Sequence, residues 1–227
     1  MGRRSFDLQG VWKLNKLLVI SPHFDDAVLS IGQFMAERPD CEVVTIFAGV
    51  PDEPDTVHTP YDKKCGFDNA RNAVGARIRE NDEATALLNA TTINLDFPDG
   101  QYGIEVSEER ITEVLQRIVD GREYDGIYAP IGLGHPDHIK VANAVLAIET
   151  NLPVTLWEDV PIRITEPQLV PDRLKELGIK YWPTRSIFNR MYIADKVRAL
   201  SCYKSQIGTG ILDPYLMYVP ERFYNVK

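Results

Sequence analysis

No run of about 18 apolar residues occurs in the chain, so no segment has the length that a membrane-spanning helix needs. Cysteine is scarce. Cys41, Cys65 and Cys202 are odd in number and widely spaced, which excludes both a disulfide framework and a CxxC metal site. All three are expected to be reduced, with Cys41 and Cys202 packed. There is no HExxH and no DxD arrangement for phosphoryl groups, and the GLG at 132–134 lacks the third glycine of a dinucleotide fingerprint. Basic residues are the minority, 25 against 33 acidic, for a net charge of −8. An acidic surface repels phosphate backbones, which argues against nucleic acid as a partner. The paired Arg3 and Arg4 lead into no apolar h-region or small-residue cleavage site, so a cytoplasmic location is expected.

What is present is an alternation of strand-length apolar runs with helical patterns. The pattern predicts strands at Leu17–Ser21, Cys41–Ala48, Thr91–Asp96, Gly126–Pro130 and Val154–Trp157. Helices are predicted at Asp26–Arg38, from a cap at Asp68 to about Asn89, after a cap at Ser107, and from Pro136 to Glu149. Strand and helix in turn argue for an α/β, Rossmann-like, mostly parallel sheet with helices on both faces, three layers in all. One domain over residues 1–227 is expected. Val50–Phe67 is a long polar loop of the kind that carries function or disorder, and the proline-rich WEDVPIRITEPQLVPD is expected to cover one edge of the site.

The chain has four histidines, and three of them fall in two short loops. SPHFDD follows the first strand and GLGHPDH the fourth, so both loops reach the rim where such sheets bind ligands. His23 and Asp26, three apart at a helix entry, can face one point, and His138 can complete the set. Two imidazoles and a carboxylate with an open position is the pattern of catalytic zinc. Asp25 is then left over beside the metal and suits a general base. His135 is either a fourth ligand or the group that stabilises a developing oxyanion. The second role is favoured, because a fourth protein ligand would fill the open position. As an imidazolium, His135 would bind the charge of the tetrahedral state. The bland alternatives are a helix cap at Asp26, ordinary helix-start residues in HPDH and an exposed loop histidine at His58.

With these residues in view, the chain resembles the LmbE/PIG-L family of zinc-dependent N-acetylglucosamine deacetylases. The resemblance runs through SPHFDDAVLSIG, RIRENDEATALLNA, LDFPDGQY, PIGLGHPDH, LWEDVP and YKSQ. It implies His23, Asp26 and His138 as ligands of one zinc (or another divalent metal) per chain, Asp25 as the base and His135 as the stabiliser. It further implies that Arg77 and Asp99 hold sugar hydroxyls. Against this stand an ion pair of Arg77 with Glu80 on one helix, and plain turn chemistry for Asp99 in PDGQ.

The chain also departs from the family pattern. Phe24 stands where many relatives have proline, Ala27 where they have glutamate, and Leu133 where some have tyrosine. Phe24 and Leu133 are expected to line the site with apolar surface, which points to an acceptor greasier than a bare sugar. The expected activity is removal of an N-acetyl group from a small-molecule amino sugar or glycoconjugate. The alternatives are an amidase for a longer N-acyl or thiol-conjugate amide, or a non-catalytic sugar- or nucleotide-binding module. A homo-oligomer is left open.

Overall fold

The computed structural model describes residues 16–180, 182–207 and 214–226, with the backbone of 5–6 and 12–13; Arg3 and Arg4 lie outside these residues. β1 (Ser5–Phe6) and β2 (Trp12–Lys13) form a short antiparallel pair. The main sheet starts at β3 (Lys16–Ser21), where successive side chains point to opposite faces. Leu17 and Val19 enter one apolar core and Leu18 and Ile20 the other, which is why this strand reads as an unbroken apolar run.

From β3 the chain passes through α1 (Asp26–Glu37) to β4 (Cys41–Thr45), then through α2 (Pro60–Lys64) and α3 (Ala70–Leu87) to β5 (Thr91–Asn94). It crosses back through α4 (Glu108–Asp120) to β6 (Tyr124–Pro130) and through α5 (Pro136–Leu146) to β7 (Val154–Trp157). Next come α6 (Ile162–Thr165), α7 (Leu169–Glu176), β8 (Arg185–Ile187), α8 (Arg190–Leu200), α9 (Lys204–Ile207) and β9 (Glu221–Asn225). The seven-stranded sheet has the order β5-β4-β3-β6-β7-β9-β8, parallel from β5 to β7. β9 then runs antiparallel to both of its neighbours.

The helices divide between the faces. α1, α3 and α8 pack on one core and α4, α5 and α7 on the other, as the three-layer expectation requires. The chain winds outward from β3 through β4 to β5, then restarts at β6 on the other side of β3. That reversal opens a crevice at the carboxyl ends of β3 and β6. No described helix is long and apolar enough to cross a membrane.

Several boundaries differ from expectation. Asn69, not Asp68, caps α3: its side chain accepts the N–H of Asn72. β4 ends at Thr45, and its continuation makes only isolated bridges, Phe47 with Asp96 and Gly49 with Pro98. A Cβ on Gly49 would lie 2.6 Å from the Asp96 carbonyl carbon, so this close approach needs glycine. Helix α5 stops at Leu146, short of Glu149. Cys41 is buried as expected, whereas Cys202 is only half-buried. Neither β8 nor β9 was expected, because their residues alternate too briefly to signal a strand.

The late strand β9 does support the early helix. α1 bends at Ile31 (φ −135°, ψ 25°), which frees backbone N–H groups just beyond the bend. The Glu221 carboxylate of β9 accepts the N–H of Gln33 and of Phe34, each at 2.8 Å, and Lys196 of α8 bonds the same carboxylate at 2.9 Å. Both charged side chains are fully buried. Removing one partner of such a pair leaves a buried charge uncompensated. Glu221→Ala is therefore expected to lower stability by roughly 3–5 kcal/mol, read by thermal or urea unfolding. The double variant Glu221→Ala/Lys196→Met should lose less than the sum of the two single changes, because the two sites interact. Simple additivity would refute the coupling.

Candidate metal centre

Strand ends β3 and β6 deliver the two histidine loops to one crevice. The Asp26 carboxylate, 7% exposed, accepts the backbone N–H of His23 at 2.8 Å, which folds the HFDD turn back on itself. Its Oδ2 lies 3.2 Å from His23 Nδ1 and 3.2 Å from His138 Nε2. Ligand atoms of His23, Asp26 and His138 all fall within 4.8 Å of one another.

The far nitrogen of each ring also meets a carboxylate. His138 Nδ1 lies 2.6 Å from Asp159 Oδ1, and His23 Nε2 lies 3.2 Å from Asp137 Oδ2. A neutral imidazole carries one N–H. With that proton directed at Asp159 in one ring and at Asp137 in the other, each ring turns a lone pair towards Asp26. Three electron-pair donors then face one point, an arrangement that demands a proton or a cation between them. Burial opposes charge on the rings, yet Asp26 and Asp159 push His138 up to about 10. Asp99, Asp137 and Asp26 likewise raise His23 well above its ordinary range. The donor set thus fits a divalent ion, with outer carboxylates orienting the histidines as metal sites commonly have.

Asp159 was not singled out from the sequence. Its Oδ2 accepts the N–H groups of Gly132 and Leu133, at 3.0 and 3.2 Å, so it ties the GLG turn to His138. Gly132 has φ +82°, and a Cβ there would sit 2.9 Å from the Ala142 Cβ. The signal that could have found Asp159 is its place just beyond β7, on the same sheet rim.

Asp25 occupies the N-cap position of α1 without making a side-chain cap bond, and it lines the cavity. Loss of water around it, then the charge of Asp26, raise its pKa to about 6. His135 caps α5: its Nδ1 accepts the N–H of Asp137 at 3.2 Å. Its proton therefore sits on Nε2. Burial, then the nearby His23 and His138, hold its pKa below the ordinary value. A second grouping, His23, His135 and Asp137, also has metal-ligand spacing. It would need the His23 nitrogen that already faces Asp137.

Arg77 and Asp99 line the same cavity of about 340 Å³. Arg77 does not pair with Glu80, whose carboxylate bonds Ser205 through its N–H (2.8 Å) and hydroxyl (2.7 Å). Its partner is Asp62, at 2.8 Å. Asp99 performs the turn chemistry of PDGQ, accepting the N–H and side-chain amide of Gln101 at 2.9 Å each, while remaining at the cavity wall. Phe24 lines the cavity as expected. Leu133 does not: it is buried in the core under α5. Pro161 and Ile162 of the proline-rich stretch form one wall, and His58 is exposed in its loop.

Asp159→Asn removes either the bond to His138 or those to the GLG turn. Metal affinity, measured by competition with a chromophoric chelator, is expected to fall by roughly 10–100-fold. Unchanged affinity would show that His138 orients itself.

Known proteins share this fold. The 2′-N-acetylparomamine deacetylase of Niallia circulans is 24% identical over an alignment that covers 84% of this chain and 80% of that protein. The zinc inhibited form of teicoplanin deacetylase Orf2 superposes with a TM-score of 0.72 at 22% identity, over 92% of this chain and 97% of that one. The N,N′-diacetylchitobiose deacetylase of Pyrococcus horikoshii, complexed with an inhibitor, gives 0.66 at 18% identity, over 93% and 84%. Likeness at that level shows the shared fold, and fold alone does not assign chemistry. The profile of one family matches residues 18–149, which hold both histidine loops and most of the parallel sheet, and on that match the chain belongs to the PIG-L family, GlcNAc-PI de-N-acetylase.

Proposed function

We propose that the chain is a metal-dependent amidohydrolase that removes the N-acetyl group from an N-acetylated amino sugar or a glycoconjugate carrying one. The observation that carries this reading is Asp25. It is a carboxylate at the cavity wall, next to the Asp26–two-histidine cluster, whose side chain makes no cap bond to the helix it begins. A binding module has no use for such a group, whereas a hydrolase needs a base. The names of three similar proteins, a 2′-N-acetylparomamine deacetylase, a teicoplanin deacetylase and an N,N′-diacetylchitobiose deacetylase, support the same class.

In this reading His23, Asp26 and His138 hold zinc or another divalent ion. Such an ion supplies positive charge that polarises an amide carbonyl and makes water more acidic. Asp25 takes the proton from the attacking water and returns it to the departing amine. His135 donates from Nε2 to the oxygen that gains charge, as a neutral hydrogen-bond donor. Arg77 and Asp99 hold the sugar hydroxyls at the cavity wall. Phe24, Leu29, Phe47 and Val74 line the same cavity, apolar surface that supports an acceptor larger than a bare sugar.

The test is a panel of N-acetyl amino sugars and their glycosides, incubated with metal-loaded enzyme and read by released primary amine. Glycosides with apolar aglycones are expected to turn over best. Release from none of the panel, with metal bound, would remove the deacetylase reading. Asp25→Asn should keep its metal and lose at least ~10²-fold in kcat, the scale of a general base. Activity close to that of the unaltered enzyme would assign the proton to another group.

His135→Ala should also keep its metal, bind substrate nearly normally and lose ~10²–10³-fold in kcat, as for a lost oxyanion donor. His138→Ala should lose the metal. A metal-free His135→Ala would instead move His135 among the ligands.

A further inference from the structure

Arg77 carries a permanent charge and is only 6% exposed, so its position depends on what surrounds it. The surroundings come almost entirely from α2 and the residues that join it to α3. Its guanidinium lies over the Tyr61 ring at 5.2 Å and over the Phe67 ring at 5.7 Å. Asp62, with no exposed surface, faces Nη2 through Oδ1 at 2.8 Å. The contact is close but unaligned: neither that oxygen nor Arg77 Nε or Nη2 makes a hydrogen bond of good geometry among the described residues. The guanidinium is held by charge and by flanking rings, with Nε and Nη2 buried.

Asp62 is itself fixed at two points. Its Oδ2 accepts the hydroxyl of Tyr102 at 3.0 Å, and its N–H is accepted by Thr59 Oγ1 at 3.0 Å. The Thr59 hydroxyl donates to Gln101 Oε1 at 2.6 Å, and Gln101 Nε2 donates to Asp99 at 2.9 Å. A chain of hydrogen bonds thus runs Asp99–Gln101–Thr59–Asp62 and ends on the ion pair of Asp62 with Arg77, joining residues from β5's extension and from α3 that share no secondary-structure element.

We infer that Asp62 is a positioning residue that sets where Arg77 meets the substrate and ties that place to Asp99, so that the loop at 57–67 fixes the spacing of the two polar contacts across the cavity. The inference rests on the reading of the cavity as a sugar site. The spacing selects substrates by the separation of the hydroxyls they present, and Asp62 touches none of the reacting atoms.

The experiment compares metal-loaded Asp62→Asn, Tyr102→Phe, Arg77→Ala and Asp62→Asn/Arg77→Ala with the unaltered enzyme. Phenylglyoxal labelling, mapped to the Arg77 peptide by mass spectrometry, reads the guanidinium's position without substrate. Steady-state kinetics use the best-hydrolysed member of the sugar panel. In Asp62→Asn, labelling of Arg77 should be several-fold faster. KM should rise by about tenfold with kcat within about twofold, the signature of lost binding rather than lost chemistry. The double variant should be no worse than Arg77→Ala, because Asp62 acts through Arg77.

Unchanged labelling and KM, or losses that add in the double variant, would overturn the inference. If Asp62→Asn does not fold, Tyr102→Phe, which keeps both charges, carries the test. Faster labelling with a raised KM supports the inference, and no change in either overturns it. An Arg77→Ala enzyme with normal KM would sink the sugar-contact role of Arg77, whereas labelling would still judge whether Asp62 places it.

Discussion

A single buried carboxylate with an imidazole nitrogen 3.2 Å away on each side is the constraint around which the site is built. Asp26 cannot hold that place by its own chemistry. Taking it out of water is unfavourable, and Asp25, Asp99, Asp137 and Asp159 add negative charge around it. The arrangement becomes favourable once positive charge sits among the donors. The rest of the rim meets that requirement by aiming lone pairs inward. Asp159 and Asp137 take the outward protons of the two rings, and the glycines of the GLG turn let the backbone wrap Asp159 closely enough to fix it. The left-handed turn and the two-histidine spacing are therefore one device.

The scaffold supports this rim from a distance. α1 carries Asp25 and Asp26 at its start and bends one turn later, where the Glu221–Lys196 pair from the end of the chain satisfies the loosened backbone. Tyr203 has its hydroxyl 3.1 Å from the Phe24 carbonyl and 2.9 Å from Asn81, which joins the late YKSQ segment to the metal loop and to α3. The C-terminal third, least regular in sequence, thus braces the N-terminal SPHFDD loop. Its value lies in long-range contacts rather than in elements of its own.

Much of this was legible beforehand. Apolar runs bounded by helix starts located the parallel strands, because a strand buried on both faces has to be apolar throughout. Since ligand sites in such sheets lie beyond strand carboxyl ends, the sequence alone assigns SPHFDD and GLGHPDH to one crevice. His23, Asp25, Asp26, His135 and His138 do come together there. The strand ends, the antiparallel edge of β8 and β9 and the cap of α3 were read less well. Short edge strands carry too few alternating residues, and Asp68 and Asn69 are chemically equivalent as caps.

The sequence by itself determined which side chains reach the rim, because strand period and helix start are local properties written within a few residues. The tertiary structure alone decided what those side chains are there. Whether His135 is charged depends on a backbone N–H two residues on, on His138 one helical turn away and on His23, brought near by another loop. Whether Arg77 pairs with Glu80 or Asp62 depends on a loop closing over α3 while Ser205 claims Glu80. Protonation, tautomer and ion pairing are set by the electrostatic sum over neighbours distant in the chain, and that sum exists only once the chain is folded.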